Sequence, residues 1–76
     1  MSAYKSLLDV RQTYFRAIAA EHAQRWHLAV QGYLYCFQES SAAADERAVK
    51  FFAAKLSQAY GKMAMADKAD YYKQLC

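Results

Sequence analysis

The chain has no proline and two glycines, Gly32 and Gly61. Proline breaks helix interiors and glycine weakens them, so little in the sequence interrupts a helix. Alanine, leucine, lysine, glutamine and glutamate, all good helix formers, are common. No bounded run alternates apolar and polar residues as a half-buried strand does. These absences predict an all-α fold. Two widely separated glycines also exclude a glycine-rich phosphate loop.

Cysteine is scarce as well. Cys36 lies in the apolar run Tyr33-Leu34-Tyr35-Cys36-Phe37, and Cys76 is the last residue. That spacing is no disulfide framework. It reads as one buried thiol and one frayed thiol in a reducing cytoplasm. The two histidines, His22 and His27, are five residues apart, which turns their rings about 140° from each other on a helix. Zinc pairs on helices use a spacing of four, so no metal or cofactor is expected. No uncharged apolar run approaches the roughly 18 residues of a membrane span. The N-terminal residues run into Asp9 and Arg11 without the apolar core of a signal peptide. The expected location is cytoplasmic.

With 76 residues, the chain is read as a single domain, 1–76, with a thin core. Domains of this size usually add disulfides, a metal or oligomerisation, and oligomerisation is the option left.

What is present is helical periodicity. From about residue 3 to 38, apolar residues including Leu7, Leu8, Phe15, Ile18, Trp26, Val30 and Phe37 recur at helical spacing, with charged and amide side chains opposite. This predicts one long amphipathic helix, although a break near Ala20 or Gly32 is compatible with the pattern. Gly32 marks a kink or a close helix crossing. A connector is expected at Glu39-Ser40-Ser41, with serine as N-cap. A second helix is expected at about 42–60, striped by Val49, Phe52, Leu56, Tyr60 and Met63 and ended by Gly61 at the left-handed capping position. A short third helix, about 67–75, would be capped by Asp67 and bury Ala69, Tyr72 and Leu75. No internal repeat stands out in the residues. Leu56, Ser57, Tyr60 and Gly61, with Asp67, Ala69 and Tyr72, resemble the turn of a tetratricopeptide repeat over one helical hairpin. The second tyrosine is one residue out of register, and a lone repeat cannot bury its own face.

Lengths then bear on assembly. A 36-residue helix is about 54 Å long, and a 19-residue partner covers about 28 Å of it. The apolar side of the N-terminal half would lack a partner within the chain, which predicts a homodimer of helical hairpins. If the first helix breaks near Ala20, four short helices can instead close on themselves.

The chemistry of catalysis is thin. Seven carboxylates are scattered as helix-start and solvated charges, and neither histidine has a nucleophile at helical spacing. The chain is expected to be no enzyme. Aromatic residues are abundant: seven tyrosines, four phenylalanines and one tryptophan. Rings of this kind are enriched at protein contacts. The expected self or partner interface is Tyr4, Leu7, Leu8, Arg11, Tyr14, Phe15 and Ile18. A second surface is expected at Tyr35, Met63, Met65 and Tyr71. Together these predict an adaptor, regulator or stoichiometric inhibitor of a larger, unidentified protein. The net charge of +3 supports an alternative, a basic dimeric nucleic-acid-binding regulator contacting phosphates through Arg47, Lys50, Lys55, Lys62 and Lys68. Those charges are dispersed rather than gathered in a stripe, and the protein-binding reading leads.

Overall fold

A computed structural model describes residues 4–76; the expected helix start at Ala3 lies outside them. Among the described residues the fold is an all-α bundle of four helices: α1 (Leu7–His22), α2 (Trp26–Ala42), α3 (Glu46–Lys62) and α4 (Ala66–Lys73). The segment read as one helix over 3–38 is therefore two, and the overhanging rod behind the dimer argument does not exist. The connector expected at Glu39–Ser41 lies inside α2, and the true connector is Ala43 to Asp45.

Each break has the same construction. The residue after each C-cap, namely Gln24, Ala44 and Ala64, takes a left-handed backbone with φ of 60°, 54° and 58°. The next amide then reaches back to close the final turn. Arg25 N–H donates to Ala20 C=O at 2.8 Å, Asp45 N–H to Ser40 C=O at 3.0 Å, and Met65 N–H to Tyr60 C=O at 3.0 Å. This is the Schellman geometry, built three times without glycine. Gly61, expected to terminate the second helix, lies within α3. The three left-handed residues are evenly spaced along the chain, so the backbone repeats although the side chains do not.

The N-caps are less uniform. Ser6 accepts a hydrogen bond from Asp9 N–H, and Asp45 accepts one from Ala48 N–H, each at 3.2 Å. Arg25 and Met65 begin α2 and α4 without a side-chain cap. Asp67 falls in the first turn of α4 rather than before it.

Each helix packs on the next in chain order, α1 on α2, α2 on α3 and α3 on α4. The molecule is flat, 39 × 26 × 13 Å. A 17-residue helix is about 26 Å long, so the helices span the middle dimension and the array advances along the longest. Tyr33, Cys36, Ser40 and Leu56 are the largest fully buried side chains. The central helices use matching positions: Tyr33, Cys36 and Ser40 on α2 correspond to Ala53, Leu56 and Tyr60 on α3, and all six are buried. Helices two apart meet through rings. Tyr14 of α1 lies 5.7 Å from both Phe51 and Phe52 of α3, and Phe37 of α2 meets Tyr72 of α4 edge-on at 5.4 Å. Leu75, expected in the core, is exposed.

Gly32 marks a close crossing, not a kink. A Cβ at that position would lie 2.7 Å from the Cβ of Ala17, so α1 and α2 approach at a spacing only glycine permits.

Candidate functional site

The expected interface divides in two. Val10 and Ala17 form the buried side of α1. Tyr4, Tyr14 and Ile18 are half-buried and packed on the core. Leu7, Leu8, Arg11 and Phe15 face outward. Tyr4 and Tyr14, expected to be exposed, are instead structural. The Tyr4 hydroxyl donates to Asp45 Oδ2 at 2.5 Å and lies 3.4 Å from Ser40 Oγ, tying the chain ahead of α1 to the start of α3. Partial burial pushes the Tyr4 phenol above its ordinary range, helped by the carboxylate beside it. The hydrogen bond from Tyr4 holds the Asp45 carboxyl below its ordinary range, with the bond from Ala48 N–H adding to it.

The surface that remains is concentrated. Leu8 is 64% exposed and Phe15 65%. Residues seven apart lie on one side of a helix, about 10 Å apart, so the two share a face. Phe15 touches Tyr14 at 5.8 Å, and Tyr14 touches Phe51, itself 44% exposed, at 5.7 Å. Leu8 and Phe15 thus share an outward face of α1, and the Tyr14 ring links Phe15 to Phe51 of α3; the three exposed side chains are termed the strip.

The second expected surface is dispersed. Met63 and Met65 are half-buried against the core. Tyr35 lines a groove between α1 and α2, and Tyr71 stands on α4 against Tyr72.

One constellation was not legible in the sequence. The Tyr33 hydroxyl donates to Glu21 Oε1 at 2.6 Å, and Lys55 Nζ lies 3.8 Å from the same oxygen. The ammonium also sits 6.0 Å from the Tyr33 ring centre and 5.8 Å from that of Phe51. Three helices thus converge on one carboxylate. Burial of Tyr33, with Glu21 as acceptor, raises its phenol well above the ordinary range. None of these three residues lines the α1–α2 groove, and their arrangement reads as a structural tie. It also engages one of the five basic residues proposed for phosphate. Lys68 leans over the Tyr60 ring at 5.5 Å, while Arg47, Lys50 and Lys62 are exposed on α3.

Cys36 is fully buried, and its thiol donates to Val10 C=O at 3.5 Å. Burial pushes that thiol up to about 11. Cys76 is exposed. Among the described residues, no helix is long and apolar enough to cross a membrane. No family model, curated protein or solved structure matches the chain. The likeness to a tetratricopeptide hairpin gains no support from geometry either, since that repeat advances about 34 residues per helix pair, less than the spacing from Gln24 to Ala64 here.

Proposed function

We propose that this chain is a non-enzymatic interaction module that binds another polypeptide through the strip Leu8–Phe15–Phe51. A second copy of the chain is its first partner, and the resulting dimer works as an adaptor, regulator or stoichiometric inhibitor of a larger cytoplasmic protein. The observation that carries this reading is the exposure of Leu8 and Phe15 beside the Tyr14–Phe51 ring contact. Burying a large apolar side chain contributes about 1.5–3 kcal/mol, so covering Leu8, Phe15 and Phe51 together favours association. The strip replaces the overhanging helix as the support for self-association. A two-fold pairing needs only one such patch, matched to itself.

Phe15→Glu tests the reading. Because Phe15 is mostly exposed, the substitution leaves the helix and the core intact. Sedimentation velocity is expected to show a dimer for the native chain and a monomer for the variant, with equal helical circular dichroism. Identical masses for the two would remove the strip from the contact.

The nucleic-acid reading has less behind it. Lys55 is held by Glu21, and Lys68, though exposed, lies over a ring; Arg47, Lys50 and Lys62 are the other exposed cations of that set. Duplex binding that falls steeply with salt would revive it.

A further inference from the structure

The α1–α2 groove is the counterpart of a seam that this fold fills with a helix. Between α3 and α4, Tyr60 stacks on Tyr72 at 5.7 Å with the rings 11° apart. Phe37 of α2 closes that seam by packing edge-on against Tyr72. Two helices earlier in the repeat, the positions of Tyr60 and Tyr72 are held by Ala20 and Gly32. Both line an open groove of 620 Å³ between α1 and α2. Small residues stand where the filled seam has rings, and no helix among the described residues lies over them.

The walls of the groove define what fits. Ala17, Ala20 and Gly32 form its floor. Leu28, 42% exposed, and Tyr35, 36% exposed, supply apolar walls. Arg16 and Arg25 are both exposed and both belong to the lining, which contains no carboxylate. Among the described residues the ion pair present is Lys55 with Glu21, so neither arginine is neutralised. We infer that this groove receives an amphipathic α-helix of a partner protein, with an apolar stripe against Ala20 and Gly32 and acidic residues flanking that stripe to meet Arg16 and Arg25. Helix-in-groove recognition is a common mode of peptide binding, and unpaired cations beside an apolar floor select for charge as well as shape. The groove lining shares no residue with the Leu8–Phe15–Phe51 strip, so each surface can fail without the other.

The test is selection from a phage-displayed library of helical peptides, panned against the full chain. Selected peptides are expected to carry Asp or Glu flanking an apolar stripe. They should lose at least tenfold in affinity on Arg16→Glu, lose it again on Leu28→Glu, and bind Phe15→Glu as they bind the native chain. Both substituted groove positions are exposed, so the variants keep the fold, and circular dichroism checks that they do. Neutral or basic selected peptides, or affinity unmoved by both groove variants, would overturn the inference. So would self-association abolished by Leu28→Glu with no peptide selected, because the groove would then be a contact between copies.

Discussion

Gly32 and Ala17 stand so close that a single methyl group on the glycine would fall 2.7 Å from the alanine Cβ. The obstacle also includes Ala17 Cα and the Thr13 carbonyl, each at 3.4 Å, and backbone does not swing aside as a long side chain does. Gly32→Ala is therefore expected to destabilise. Overpacking costs about 1–3 kcal/mol, which exceeds the gain of about 1 kcal/mol in helix propensity. Gly61 meets nothing within 4 Å, so Gly61→Ala is expected to stabilise by up to about 1 kcal/mol. Urea denaturation of the two variants should give shifts of opposite sign.

The three left-handed residues offer a second check. A non-glycine residue in that conformation costs about 1–2 kcal/mol, and glycine removes this cost while adding freedom to the unfolded chain worth about 0.4–1 kcal/mol. Ala44→Gly is expected to raise the denaturation midpoint slightly, and Ala44→Val to lower it clearly. A lowered midpoint for the glycine variant would show that the turn is not held as described.

Those turns also explain how far the fold could be read from the sequence. The helical class was legible in the missing proline and in stripes such as Phe52-Leu56-Tyr60. The break between α1 and α2 was not. Its left-handed residue is Gln24, and the apolar pattern runs on from Ile18 to Trp26 and Val30 as if one helix continued. Gly61 carries the usual stop signal but lies before the true left-handed residue, Ala64. For the candidate site, helical spacing put Leu8 and Phe15 on one face, and both are exposed. It could not separate them from Tyr14 and Ile18, because which side of a short helix faces the core depends on where its neighbours lie. The Glu21–Tyr33–Lys55 tie depends wholly on tertiary structure, since its members come from three helices.

That tie predicts a stability effect. Hydrogen bonds to charged groups are worth about 1.5–3 kcal/mol, and Tyr33 is fully buried. Tyr33→Phe is expected to destabilise toward the low end of that range, since the ring and its packing remain. A double-mutant cycle with Glu21→Gln should show coupling. Strict additivity would separate the two side chains.

Alkaline pH should unfold the chain through groups that burial keeps protonated. The Cys36 thiol is raised from its ordinary 9.0 to about 11, and the Tyr33 phenol is raised from 10.0. A raised value means that the unfolded chain releases its proton first. The contribution of each group is thus complete below its ordinary value and is lost as pH rises through the folded one. Chemical denaturation should show a falling midpoint from about pH 9 upward, with a smaller fall for Cys36→Val. A thiol reagent at pH 7 should label Cys76 at once and Cys36 only on unfolding.

The most direct test of the contact surface reads leucine methyl signals by NMR in the presence of a soluble paramagnetic chelate, at low and high protein concentration. Leu8 should broaden strongly in dilute solution and become shielded as the chain self-associates, while Leu28 and Leu75 broaden equally at both concentrations. A Leu8 signal that remains fully accessible at high concentration would contradict the assignment of the α1 strip as the contact face.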